Sequence, residues 1–295
     1  MGGFGSPGVM TLGCIPRVNN FPVIEHLCHS PQQIVLLVLI LGFAGFVAGL
    51  AGFGFSLFGV GVLWILPPRE GIPLLMLLSA CSQIFSIAQL RASMPPLRSW
   101  WPQGPAPCVI GGWFGIPLGL WLLSYLDTKL LCSIIGLILL GYSLWIFLKP
   151  VGMTPLKRTL PRALSVGLLG GVVGGFCAAP GTVMVIWANL LGLNKDEQRA
   201  TVQPYILAMQ LMALLLFLIR GGVFSGCLLI LWVSSFTVIL LTTRLGVLVF
   251  RQLSNRAYNS LVVIMLALSG VSLLIKEWHF LGGVLAKVDH FVFSL

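Results

Sequence analysis

The sequence predicts an all-α protein that crosses a membrane many times, and composition and charge spacing are the observations behind this prediction. Hydrophobic residues make up 58% of the 295-residue chain and charged residues only 8%. A soluble domain needs more polar residues than this to cover its core. Charged residues are absent from long, continuously apolar windows, which are typical of transmembrane helices: Ser30–Pro68, Gly71–Leu90, Ser99–Leu126, Leu130–Leu148, Ala163–Asn194, Ala200–Ile219, Gly221–Thr243 and Ala257–Ile275.

Two of these windows, 30–68 and 163–194, are too long for one straight helix. A 39-residue helix over 30–68 would extend about 58 Å, against a hydrocarbon core of about 30 Å. Both windows begin with glycine-rich segments, and glycine destabilises a helix interior. We therefore predict a break in each window, with about eight full spans, or about ten when the arms of glycine-broken hairpins are counted.

The chain carries an internal duplication. The segment GFAGFVAGLAGFGFS, which begins at Gly42, resembles GLLGGVVGGFCAAPGT, which begins 125 positions later at Gly167. After a two-residue slip the match continues at a displacement of 127 positions and pairs Gln83 with Gln210. Transporters are commonly built from paired halves, with the substrate near the midplane where broken helices meet.

Duplication and composition divide the chain into successive segments. These are a poorly ordered N-terminal arm 1–33, a first transmembrane repeat 34–148, a basic cytoplasmic linker 149–162, a second transmembrane repeat 163–276 and a C-terminal tail 277–295. The linker is assigned to the cytoplasm because Lys and Arg concentrate in the loops on its side. Two hairpins would make the repeats inverted, whereas two tilted spans would make them parallel. Window length favours hairpins, so inverted repeats are predicted.

The net charge of +10 is distributed over short loops and chain ends. This distribution favours contact with anionic membrane lipid and argues against a nucleic-acid partner. The same positive potential also favours an anionic solute. A homodimer is an open alternative.

Two further motifs accompany the glycine-rich segments: PPREG at 67–71 and GLNKDEQRAT at 192–201. From about Ile34 to Ile275 the chain resembles the sulfite exporter TauE/SafE family, also called the toluene sulfonate uptake permease group. It differs from the usual first motif in having Phe53 and Phe55 within AGFGFSL, where consecutive glycines are common.

The resemblance implies a multi-pass transporter of the bacterial cytoplasmic (inner) membrane. Its substrate would be a small sulfur-containing anion, such as sulfite, sulfoacetate, thiosulfate or another organosulfonate. The alternatives are an anion channel, an importer of another small anion, or a membrane assembly factor that transports nothing.

The positions of the acidic residues and histidines argue against ion coupling and against an enzyme. All seven acidic residues and all four histidines lie at window boundaries or in the chain ends. Proton- and sodium-coupled carriers often place such groups within the membrane. Export driven by the membrane potential needs no coupling ion, because each negative charge gains about 2.3 kcal/mol per 100 mV. No catalytic residue, metal or cofactor is expected, since the windows lack a nucleophile–base or metal-ligand constellation.

Broken helices are the first candidate for holding an anion. Backbone N–H groups at a helix N-terminus are free donors and carry partial positive charge. The alternative is close helix packing through small residues, which we favour for the glycine stripe 111–119. The candidate substrate-binding residues at the two breaks are Gly52, Phe53, Gly54, Ser56, Ala179, Pro180, Gly181 and Thr182.

Glutamines on the helices that follow the two breaks are the second candidate. Gln83 shares a helix face with Ser79, Ser82 and Ser86, and Gln203 shares a face with Gln210 in the other repeat. Polar side chains in a membrane also join helices to one another, which is the alternative interpretation. The equivalence of Gln83 and Gln210 favours a shared central site.

Three arginines lie in or beside the apolar windows: Arg91, Arg199 and Arg244. Arg244 is about 10 Å of helix from the loop at Arg251, so we expect it to be the deepest and include it among the substrate-binding candidates. The alternative for all three is a side chain that extends to the membrane interface.

Overall fold

The computed structural model describes residues 31–59, 61–62, 65–66, 68–91, 100–101, 104–122, 125, 128–148, 155–177, 180–219 and 226–276. Nearly all of the predicted arm, the first six residues of the predicted linker and the whole predicted tail lie outside these ranges.

The described chain folds into α-helices. In chain order they are α1 (Pro31–Ala51), α2 (Phe55–Gly59), α3 (Pro68–Gln89), α4 (Ala106–Leu122), α5 (Thr128–Leu148), α6 (Leu160–Cys177), α7 (Gly181–Leu190), α8 (Lys195–Ile219), α9 (Gly226–Gln252) and α10 (Asn255–Lys276). Within the described ranges, α1, α3, α8 and α9 are long and apolar enough to cross a membrane. The prediction of a helical membrane protein is therefore confirmed, whereas the count of eight spans stays a prediction.

Both long windows contain a helix break. In the first, α1 ends at Ala51 and α2 begins at Phe55. Gly52 and Gly54 between them have φ angles of +83° and +91°. Residues with a Cβ rarely adopt these angles, so glycine is needed where the backbone turns. In the second window, α6 ends at Cys177 and α7 begins at Gly181.

After each break the chain returns alongside the helix that it has just left. The ring of Phe58 packs edge-on against Phe43 of α1, with 5.4 Å between the ring centroids. In the second window, the N–H of Leu156, before α6, donates to the carbonyl of Leu190, at the end of α7, at 3.0 Å. Each window therefore forms an antiparallel hairpin rather than one tilted span.

Glycines bring pairs of helices into backbone contact. A Cβ on Gly111, Gly115 or Gly119 of α4 would collide with backbone carbonyls of α6. Between α1 and α9, a Cβ on Gly49 or Gly246 would collide with backbone atoms in the same way. Small residues allow such close approach between membrane helices. The packing interpretation of the 111–119 stripe is therefore confirmed.

The helix contacts occur in corresponding sets. The two most extensive join α1 to α9 and α4 to α6. In addition, α3 packs on α9, and α8 packs on α4. Helix α3 also packs on α8, and α5 packs on α10. This arrangement brings both helix breaks against α3 and α8.

Candidate functional site

A small cavity lies where the two helix breaks meet α3 and α8. Its lining combines backbone at the breaks with polar and apolar side chains: Phe53, Gly54, Phe55, Ser56, Ser79, Gln83, Pro180, Gly181, Thr182, Ile206 and Gln210. The space open to the centre of a water molecule is about 30 Å³. A single water needs about 10–15 Å³ of such space, so the cavity suits an occupant of a few heavy atoms.

Two pairs of lining residues, Ser79 with Ile206 and Gln83 with Gln210, are separated by 127 positions. This is the displacement at which the predicted repeats match after the two-residue slip. Residues that the predicted duplication pairs thus line the same cavity.

The two glutamines of the lining use only part of their hydrogen-bonding capacity on the protein. Gln83 donates from Nε2 to the carbonyl of Gly52 at 3.2 Å, and Gln210 donates from Nε2 to Ser79 Oγ. Each amide nitrogen carries a second proton. Both carbonyl oxygens are buried and have no hydrogen-bond partner among the described residues. Each amide therefore keeps an unused acceptor oxygen at the cavity.

The second break directs a helix N-terminus at the cavity. Helix α7 begins at Gly181, is preceded by Pro180, and has no side-chain cap. Gly181 and Thr182, the first two residues of α7, line the cavity. The N-terminal end of a helix carries partial positive charge, which favours an anion at this end of the cavity.

The remaining candidates of the first window and of α8 lie at or behind the cavity wall. Gly52 contacts Gln83 through its carbonyl and is not part of the lining itself. Gln203 is fully buried and donates to Ser86 Oγ at 2.9 Å. Ala179 lies outside the described residues.

Arg244 requires a correction. Its side chain is exposed on the outer surface of α9, apart from the cavity. The preceding residue, Thr243, is fully buried and bonds both Ser82 Oγ and the carbonyl of Gly45. Successive helical residues are rotated by about 100°, so an inward Thr243 turns Arg244 outward. The sequence indicated the depth of Arg244 along the helix and not its face.

Arg199 is the buried cation that the sequence analysis missed. Its side chain is 1% exposed. Nη2 donates to the carbonyl of Gly49 at 2.6 Å and to Ser86 Oγ at 3.3 Å. The guanidinium carbon lies 4.1 Å from the ring centroid of Phe250, within the range of a cation–π contact. Gln203 on the next turn of α8 was the available signal, because the two side chains share one face.

The fold and the cavity together define a class of protein. A helical membrane protein with a small, partly polar cavity between two broken helices has the architecture of a secondary transporter. A family model described as "Sulfite exporter TauE/SafE" matches residues 37–273, and the chain belongs to this family. Comparison with curated proteins and with solved structures gives no match.

Proposed function

We propose that this protein exports a small sulfur-containing anion across the bacterial cytoplasmic membrane. The substrate class is sulfite, sulfoacetate, thiosulfate or a related organosulfonate. The observation that carries the proposal is the cavity between the two helix breaks, in a chain of the TauE/SafE family. The size of the cavity supports a substrate of few atoms.

We also propose that residues 34–148 and 163–276 are inverted homologous repeats. If each helix is replaced by its counterpart in the other half, the α1–α9 contact becomes the α6–α4 contact. In the same way, the α3–α9 contact becomes the α8–α4 contact. The α3–α8 and α5–α10 contacts map onto themselves. Each hairpin returns the chain to its starting side, and three helices follow it. The second half then begins on the opposite side of the membrane, which supports inversion and ten crossing elements when hairpin arms are counted.

Anion binding in this proposal uses neutral donors inside the cavity. The first turn of α7 supplies its partial positive charge, and Gln83 on α3 and Gln210 on α8 supply amide protons. The two glutamines are symmetry equivalents, so either repeat can retain the anion while the other moves. Binding and release on opposite sides of the membrane then follow from rocking of one repeat against the other.

The direct test of the function is flux in reconstituted vesicles under an imposed membrane potential. We expect an inside-negative potential, set with a potassium gradient and valinomycin, to accelerate sulfite efflux without any proton or sodium gradient. Each charge gains about 2.3 kcal/mol per 100 mV, and a dianion gains twice as much. Flux that ignores the potential and requires a proton or sodium gradient would contradict this mechanism. Saturation with counterflow distinguishes a carrier from an anion channel.

Removing one cavity amide should weaken substrate binding. Hydrogen bonds to a charged group contribute about 1.5–3 kcal/mol, so Gln83→Leu and Gln210→Leu should each raise the KM for sulfite about tenfold or more. Gln252→Leu is the matched control, because Gln252 is exposed at the end of α9. Initial rates over a range of sulfite concentrations measure the effect. A wild-type KM in both cavity variants would exclude these amides from the binding site.

A further inference from the structure

Arg199 is a buried cation whose hydrogen bonds are incomplete. Two of its guanidinium nitrogens, Nε and Nη1, are buried and have no hydrogen-bond partner among the described residues. Nη2 bonds the carbonyls of Ala48 and Gly49 in the last turn of α1. No ion pair between Arg199 and a carboxylate is found in the described part of the chain. A charge buried in this way is costly unless other groups compensate it.

The surroundings of Arg199 compensate only part of its charge. The C-terminal end of α1 carries about half a negative charge from the helix dipole. One of the carbonyls there, that of Ala51, already accepts a hydrogen bond from Tyr258 at 2.8 Å. The face of the Phe250 ring adds a weak attraction, and the carboxylate of Asp196, one turn earlier on α8, adds a Coulomb attraction. None of these groups forms an ion pair with the guanidinium among the described residues, so its positive charge is only partly offset inside the protein, where screening by salt is weak.

This positive charge lies directly behind the cavity wall. A Cβ placed on Gly52 would be 2.9 Å from Arg199 Nε, so no side chain separates the guanidinium from the first helix break. The carbonyl of Gly52 accepts the hydrogen bond from Gln83, which lines the cavity. The backbone of Gly52 and the side-chain amide of Gln83 thus connect the Arg199 guanidinium with the cavity.

Polar side chains extend the connection along the facing surfaces of α3 and α8. Arg199 and Gln203 both donate to Ser86 Oγ. On the same two helices, Ser79 and Gln210 bond each other at the cavity. Along α8, Arg199 is about 10 Å from Ile206 and about 16 Å from Gln210, the residues of that helix that line the cavity. At that range a buried charge still acts on the cavity through the low-dielectric interior.

We propose that Arg199 is the positioning residue that makes the cavity select anions by their charge. It acts through its electric field and through Gly52 and Gln83, and it does not line the cavity itself. This inference rests on the proposed function. A purely structural role, in which Arg199 only caps the C-terminal end of α1, is the competing explanation for the same hydrogen bonds.

The two explanations differ in how the KM of the Arg199 variant depends on the charge of the substrate. An electrostatic contribution scales with the charge of the ligand. If loss of Arg199 raises the KM of a monoanion about tenfold, it should raise the KM of a similarly bound dianion about a hundredfold. A cap that only holds α1 would change yield, melting temperature or maximal rate, and it would leave the ratio of the two KM values unchanged.

The experiment compares methanesulfonate, a monoanion, with thiosulfate, a dianion of the same tetrahedral shape and number of heavy atoms, in vesicles that contain the full chain. For Arg199→Gln we expect both KM values to rise and the dianion-to-monoanion KM ratio to increase about tenfold. Arg199→Lys keeps the charge and loses the guanidinium geometry, so its ratio should stay near that of the wild type while its melting temperature falls. Arg256→Gln is the matched control, because it removes an exposed arginine at the start of α10. Neighbouring Asn255 bonds the backbone of Lys195 at the start of α8, so the control charge is lost near the same end of the molecule.

Each result decides between the explanations. An unchanged KM ratio in Arg199→Gln overturns the inference, as does an equal change in Arg256→Gln. Should the glutamine variant fail to fold, Arg199→Met, which removes the charge and keeps an apolar stem, takes its place and is judged by the same ratio. A lysine variant that loses the wild-type ratio although it keeps the charge overturns the inference as well. A wild-type protein that moves neither anion contradicts the proposed function and removes the basis of the inference with it. Wild-type transport combined with an unchanged ratio in the glutamine variant rejects the inference alone.

Discussion

Gly115→Val is expected to prevent the protein from reaching its folded state in the membrane. Gly115 lies in the middle of the contact between α4 and α6, and a Cβ there would collide with the carbonyl of Leu168. It would also come within 2.9 Å of the Cα of Gly171 and the backbone nitrogen of Val172. These are backbone atoms that cannot rotate away, so the two helices would have to separate.

Separation of α4 from α6 should cost more than ordinary overpacking, which is about 1–3 kcal/mol. Helices in lipid are held together mainly by close packing, because lipid tails are as apolar as the side chains. The α4–α6 pair is also the most extensive helix contact in the described structure, so its loss affects the whole second hairpin. We expect little monodisperse protein after detergent extraction and a strongly lowered melting temperature in what remains.

Gly141→Val is the matched control for this prediction. Gly141 is exposed on α5, and a Cβ there would have no atom within 4 Å. Valine has a higher helix propensity than glycine, so this variant should be as stable as the wild type or slightly more stable. Size-exclusion profiles and thermal melts of both variants check the prediction, and a Gly115→Val protein with wild-type yield and melting temperature would contradict it.

Local features of the sequence predicted the helix breaks well. The turn at Gly52 and Gly54 depends on backbone angles that glycine adopts readily, and such a requirement is visible in a single segment. The predicted duplication pairs Gln83 with Gln210, and both line the same cavity. Their role in binding stays a prediction, as does the number of spans.

The position of each arginine could not be predicted in the same way, because it depends on helices that are distant in sequence. Arg199 is covered by the C-terminal end of α1 and by Phe250 of α9. Nothing next to Arg199 in the chain records these two contacts. Arg244 faces outward because α1 and α3 bond Thr243 instead. Hydropathy windows give the depth of a residue, whereas its face is determined by the tertiary packing.

Gly52→Ala should impair transport more strongly than it impairs folding. Gly52 has a φ of +83°, where alanine is strained by about 1–2 kcal/mol. The new Cβ would also lie 2.9 Å from Arg199 Nε and 3.3 Å from Gln203 Nε2. The guanidinium and the amide must therefore shift, and the Gly52 carbonyl that holds Gln83 shifts with them. We expect the KM for sulfite to rise about tenfold or more, since a bond to the charged substrate is lost or weakened.

Gly192→Ala separates this local effect from backbone strain in general. Gly192 also has a left-handed φ, +67°, but it lies in the exposed loop between α7 and α8. There the new Cβ would meet only the ring of Pro155, at 3.2 Å. Both alanine variants should lose melting temperature, because both carry the same kind of strain. Only Gly52→Ala should change the KM, because only its Cβ presses on the residues behind the cavity wall. Equal KM values in Gly52→Ala and the wild type would show that the cavity tolerates movement of Arg199. An equal rise of the KM in Gly192→Ala would show that the effect comes from strain in the whole fold.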